Sequence, residues 1–401
     1  MPRKLEILLK GGHVIDPAND IDTICDVGIL DGRIARVEEN IPITDADRVV
    51  DVGNLVVTPG LLDIHVHAYH TRAHGPGMFV GNLNADAHFL KEGVTTCVDT
   101  GTSGAEEFEH FRKTVIETSK TRILGFVNIA APGMGDPEQV VANLNPQKAA
   151  ETAATHDDVC VGIKTAHYWT TEPFDDEHPP WASIDATVEA GELCKMPVMV
   201  DFWPRPPERS YPDLLLKHLR PGDIHTHVFA RQFPIVDEQG EVYDYMREAR
   251  KKGIHFDLGH GAASFWYRAA MPAITDRFPP DSISTDLHTR NLHGPVYDMP
   301  TTMSKFLMLG LSLEDVVEMS TTSPAKILKR EGELGTLRIG SVADVTVLER
   351  REGRFVFEDS YDCTRIGDTL LVAAVTVRRG EIVPGGGGLR MRRLESGSAL
   401  G

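Results

Sequence analysis

Short alternations of apolar and polar residues open and close this chain, and a different texture lies between them. Residues 4–57 read as strand-like pieces, "EILLKGGHVI", "CDVGIL", "RIARVEE" and "RVVDVGNLVV", parted by Asp-Gly and Gly-Asn turns. That alternation predicts a small antiparallel sheet. From about Thr58 to Leu328 apolar strands alternate with longer helical stretches at roughly 30–35-residue spacing, the pattern of βα units. Eight strands are expected there: "LLDIHVH", "VTTCVDTG", "RILGFVNIA", "VCVGIKTA", "PVMVDFW", "DIHTHVF", "IHFDLGHG" and "SISTDLH". Eight such units predict an α/β fold, a closed TIM-like (β/α)8 barrel, with functional groups at the carboxyl ends of the strands. Beyond it, "GELGTLRIGSVADVTVLE" and "VAAVTVRRGEIV" return to short alternation. A small β-sandwich domain built from 1–57 and 331–388 is therefore expected beside a barrel at 58–330. The tail at 389–401, rich in glycine and charge without apolar periodicity, is expected to be flexible.

Composition narrows the class. With 401 residues and 41% hydrophobic content the chain can bury one large α/β core and a small companion. The start "MPRKLEILLKGGHV" lacks the layout of a secretory signal, and no run of eighteen apolar residues occurs, so a soluble cytoplasmic protein is expected. The five cysteines are odd in number and scattered, with no Cys-x-x-Cys, which argues against a disulfide framework or a thiolate zinc site. A net charge of −18 repels phosphate backbones and anionic lipid, excluding nucleic acid and membrane as partners and leaving a small-molecule substrate. An anionic substrate must then be caught by local positive charge.

Candidate chemistry gathers at the strand ends. His65 and His67 in "LLDIHVH" share a strand face, and two such imidazoles suit a borderline-soft divalent metal such as zinc. A pair of ordinary core or surface histidines is the plain alternative. Strand four ends in Lys164, strand five in Asp201, strand six in His225 and His227, strand seven in His260 and strand eight in Asp286. A lysine closing the apolar run "VGIKTAH" is costly unless it is paired, modified, or reaches out to the barrel mouth. As a free amine it can add carbon dioxide to form a carbamate able to bridge two metal ions.

Taken in order, "GGHVIDP", "DGRIARV", "TPGLLDIHVH", "GIKTAH", "LGHGAASF", "SISTDLH", "TTSPAKIL" and "GSVADVTVL" resemble the amidohydrolase superfamily of metal-dependent hydrolases, on its dihydroorotase-like amidohydrolase/deacetylase branch. The resemblance implies His65 and His67 on the more buried metal, Lys164 as carboxylated bridge, His227 on the second metal, and Asp286 as ligand and proton shuttle. It implies zinc, two ions, with manganese as the alternative. The family's strand five usually ends in histidine, whereas here Asp201 stands in that place. Either Asp201 ligates the metal directly or His225, two residues before His227, supplies the imidazole; we favour Asp201.

The mechanism so implied is metal-assisted hydrolysis with Asp286 moving the proton. His260 is expected to face the substrate as a hydrogen-bond donor, Arg72 and Arg205 to meet a carboxylate, and Tyr168 to wall an acyl or aryl group. The reading is a hydrolase that removes an acyl group from a small amino or hydroxy acid at an amide or ester bond, in a homo-oligomer. Opening of a cyclic amide, deamination, and a non-catalytic binding barrel are the alternatives.

Overall fold

The computed structural model describes residues 3–70 and 82–384; Arg72 and the tail at 389–401 lie outside the described residues. Its strands, in chain order, are β1 Leu5–Asp16, β2 Ile21–Leu30, β3 Arg33–Glu38, β4 Ala46–Asp51, β5 Val56–Pro59, β6 Leu61–Val66, β7 Val94–Gly104, β8 Arg122–Asn128, β9 Cys160–Thr165, β10 Val198–Val200, β11 Ile224–His225, β12 His255–Phe256, β13 Val345–Glu358, β14 Thr364–Arg378 and β15 Glu381–Pro384. Strands β6 to β12 pair in chain order, every neighbour parallel. Their residues are buried almost throughout, as strands covered on both faces require.

The expected eighth strand is not a ladder. Residues 282–287 instead bridge both open edges singly, through Asp257↔Ser282 and Val66↔Leu287. Leu258 N donates to Ser282 O (3.0 Å) and His260 N to Ser284 O (3.1 Å), while His67 N donates to Leu287 O (3.3 Å). Left-handed backbone at Gly259 (φ 47°), Gly261 (φ 56°) and Asp286 (φ 48°) prevents a regular strand there. Two buried aspartates strengthen this seam. Asp257 accepts from the hydroxyls of Thr226 (2.7 Å), Ser282 (2.6 Å) and Ser284 (2.8 Å), and Asp63 accepts from Thr285 N (3.0 Å). The barrel thus closes as a (β/α)8 fold.

Around it lie helices with identifiable starts. Asn145 caps Pro146–Thr155 by accepting from Lys148 N, Asp298 caps Met299–Met308 by accepting from Thr301 N, and each helix has proline in its first turn. The second sheet runs β15-β14-β13-β5-β1-β2-β3, with β4 also on β1, so strands from both ends of the chain interleave. Its own core is aliphatic and largely β-branched: Ile7, Leu9, Val14, Val27, Ile29, Val57, Val345, Val347 and Val377. This is the small β-sandwich beside the barrel. Gly60 alone separates β5 from β6, and a Cβ there would sit 2.2 Å from the Thr95 hydroxyl, so the two bodies meet at a position only glycine fits.

One excursion matters for the site. The β13–β14 hairpin runs far past the sandwich, and its tip docks at the barrel mouth: Tyr361 donates to Ala263 O (2.6 Å) and Ser360 to Gly261 O (3.0 Å).

Candidate metal centre and the cavity beside it

The barrel strands deliver His65, His67, Lys164, Asp201, His227 and Asp286 to one cavity of about 200 Å³. His65, His67 and Asp286 each bring a ligand atom within 4.8 Å of the others. Nε2 of His67 lies 3.2 Å and Nε2 of His65 3.8 Å from Asp286 Oδ1. His227 Nε2 is 3.8 Å from Asp201 Oδ2, and the His65 and His227 rings are 4.8 Å apart. Asp201 Oδ1 is fixed by accepting from Phe202 N (2.7 Å), leaving Oδ2 toward His227.

The hydrogen bonds behind these rings decide their tautomers. Thr226 gives its hydroxyl proton to Asp257, so at 2.8 Å it accepts from the Nδ1–H of His65. His227 Nδ1 faces the carbonyl of Gly259 at 2.6 Å, which can only accept. Both imidazoles therefore present a bare Nε2 lone pair to the cavity, the form a metal needs. Burial above all, with Lys164 adding to it whenever that amine is protonated, pushes His65 down to about 3 and keeps it neutral.

Lys164 completes the donor set. Its side chain is buried, and Nζ finds no hydrogen-bond partner among the described residues. Burial lowers its pKa, against the pull of Asp201 and Asp286, and so favours the free amine that carbamate formation requires. Bare imidazoles, two carboxylates and an orphaned amine fit a divalent metal centre. Asp286 is depressed below the usual carboxylate range: burial opposes its charge, but the hydrogen bond from His67 and the neighbouring His65 and His288 outweigh that cost.

Other expected residues go elsewhere. His225 does not share the site with His227. Strand β11 ends at His225 and His227 turns left-handed (φ 62°), which breaks the alternation, so the His225 ring lies among Tyr211, Phe233 and Phe256. Burial pushes it to about 3. His260 also stays behind the wall: Lys305 Nζ donates to its Nε2 (2.6 Å), its Nδ1 faces Gly261 O at 3.0 Å, and it does not line the metal-binding cavity. Arg205 is spent on the carbonyls of Trp169 and Glu172 and on the Phe174 ring.

Tyr168 lines a second cavity of about 580 Å³ with Phe202, Trp203, Arg209, Arg231 and Tyr361, and this cavity shares His167, Asp201, Ala263 and Ser264 with the first. The sequence pattern does not single out Arg209, His167, His288, Arg290 or Tyr361. Arg209 lies in the polar run "RPPERS", and Tyr361 lies in the turn between β13 and β14, far along the chain from the barrel strands. His288 and Arg290 follow Asp286 directly, and that proximity was the available signal.

Comparisons with known proteins bear on the family and the fold. Residues 267–369 match the model of the Amidohydrolase family, whose members typically bind metal. A deacetylase of Agrobacterium fabrum is 30% identical over 331 residues, 80% of this chain and 76% of that protein. Among solved structures, an adenine deaminase is 27% identical with a TM-score of 0.84 over 95% of this chain and 100% of its own. A dihydroorotase is 28% identical with a TM-score of 0.80, over 94% and 99%. Among the described residues no helix is long and apolar enough to cross a membrane. The chain belongs to the amidohydrolase superfamily, as a hydrolase of its dihydroorotase-like amidohydrolase/deacetylase branch.

Proposed function

We propose that this protein is a metal-dependent deacylase that cleaves the amide or ester bond of a small acylated amino or hydroxy acid. The observation that carries the reading is the convergence of His65, His67, Lys164, Asp201, His227 and Asp286 on one cavity that shares lining residues with an aromatic-walled one. The likeness to a deacetylase supports it. His65, His67 and Asp286 would hold one metal and His227 with Asp201 a second, with Lys164 as carbamate a further ligand; zinc fits nitrogen and oxygen donors of this kind. When bound, such ions supply Lewis acidity toward a carbonyl oxygen and a nucleophile from water near neutral pH.

The chain's own residues do the rest. Asp286, ionised and next to His67, takes the proton of the attacking water and returns it to the leaving nitrogen or oxygen as the bond to the carbonyl carbon breaks. Thr226 and Gly259 hold the imidazoles in one tautomer, so the donor atoms are set before substrate arrives. The test is a screen of N-acetyl amino acids, O-acetyl hydroxy acids, dihydroorotate, hydantoins and adenine on zinc- and manganese-loaded protein. The likeness to an adenine deaminase is the reason to include adenine. Turnover confined to ring opening or deamination would overturn the reading. In the same preparations Asp201→Ala is expected to lower metal content by about one equivalent, and Asp201→His to restore it; unchanged content in Asp201→Ala would remove Asp201 from the donor set.

A further inference from the structure

We infer that Arg209 is the seat for the substrate's carboxylate, in the larger cavity beside the metal-binding cluster. Arg209 sits just beyond β10, where its backbone pairs with Arg205 in a short antiparallel bridge. Only 2% of the residue is exposed, yet no carboxylate pairs with it among the described residues. Nη1 donates to Tyr168 O at 2.9 Å, Nε donates to nothing described, and the guanidinium lies 4.6 Å over the Phe202 ring and 5.7 Å over that of Tyr168.

A guanidinium carries five donors and keeps its charge, so burying it without an anion is unfavourable. Asp201, the acid that lines the same cavity, is engaged elsewhere through Phe202 N and toward His227. Arg209 is therefore a buried cation facing a cavity of about 580 Å³ in a protein of net charge −18. Two parallel N–H donors match a carboxylate. A carboxylate held there places the rest of a small acid toward His167, Asp201, Ala263 and Ser264, the residues shared with the metal-binding cavity. Tyr168, Phe202, Trp203 and Tyr361 then wall its side group, which selects an apolar or aromatic one. The orientation of the scissile bond rests on the deacylase reading; the anion site itself does not.

The experiment compares N-acetylphenylalanine with N-acetylphenylalaninamide, both enantiomers of each, on metal-loaded wild type, Arg209→Met and Arg209→Lys. Two readouts are taken: kcat/KM, and protection against thermal unfolding. Wild type should favour the carboxylate by about 100-fold, the size of a charge-assisted bidentate contact. In Arg209→Met that ratio should fall to near one, with Arg209→Lys between, because an ammonium lacks the fork. A wild type that treats acid and amide alike overturns the inference, and this comparison needs no folded variant. So does an Arg209→Met protein in which both ligands weaken equally, since that marks a structural role. If neither compound is hydrolysed but the acid alone protects wild type, the carboxylate seat stands and the deacylase reading is decided by the wider screen; an O-acetyl hydroxy acid and dihydroorotate, a cyclic acid, are then the next probes.

Discussion

At the end of β9 the Lys164 amine is enclosed and unpartnered among the described residues, an arrangement that as a bare ammonium would be destabilising. Lys164→Met keeps the volume and removes the nitrogen. It is expected to fold at least as stably, bind fewer than two metal equivalents, and lose at least about 100-fold in kcat/KM, since even residues that merely support ligands cost 10–100-fold. Added acetate or propionate should restore part of the rate. Full metal content and activity in Lys164→Met would remove lysine from the centre. A second residue-level consequence concerns His167, whose Nδ1 lies 3.2 Å from the buried Glu138 carboxylate. The His167 side chain is nearly half exposed; the loss of surrounding water lowers its pKa, but the bond and charge of Glu138 prevail and raise it to about 9. A histidine raised in the folded state binds its proton more tightly there, so the stabilisation is complete below pH 6.5 and is lost as pH rises through about 9. The gap in Tm between wild type and His167→Gln should accordingly be widest near pH 6 and close by about pH 9.5. A gap that does not change with pH would show that the pair acts by shape alone.

Elements explain which of these residues could be read in advance. His65, Lys164 and Asp201 end apolar runs and Asp286 ends the alternating piece "SISTD", and in a parallel barrel the carboxyl end of a strand is the mouth, so period and position together point to them. His225, the alternative to Asp201, turns away from the cavity because a two-residue spacing means a shared face only while the strand continues, and β11 stops at His225. His260 misled because its partner Lys305 lies on the helix Met299–Met308, which no local pattern connects to "LGHG". In the same way nothing in "RPPERS" tells which arginine turns inward; the short bridge between Arg205 and Arg209 does. The strand β7 shows how an element shapes the centre. Gly101, at φ 75°, lies where a Cβ would come within 2.6 Å of the Lys164 Cβ. Gly101→Ala should cost about 1–2 kcal/mol for the left-handed backbone alone, and should displace Lys164 as well. Thermal unfolding together with metal analysis checks this: lowered Tm with lowered metal content is expected, and unchanged metal content would mean that Lys164 adjusts freely.

At the level of the whole molecule, barrel and sandwich are joined around Asp344. Its carboxylate accepts from Arg122 of β8 (2.8 Å), from Arg378 of β14 (3.0 Å) and from Arg379 N (2.8 Å), while its carbonyl accepts from Gly60 N (2.9 Å). Arg378 is buried, so Asp344→Ala leaves a cation without its counter-charge and should cost about 3–5 kcal/mol in denaturant unfolding. A loss below about 1 kcal/mol would show that water replaces the carboxylate. The interleaved sheet also orders events in time. Strand β5 needs β13 as neighbour, with Val345 opposite Pro59, and the barrel lies between them in the chain. At about 5–20 residues per second a ribosome takes roughly 15–60 s to make that stretch, during which β5 has an open edge. The barrel can close first, and the sandwich waits until β13 has been made. A chain stalled before β13 would therefore leave the ribosome with a strand edge available to other chains, so the pace of translation between β5 and β13 governs how much of this protein escapes aggregation.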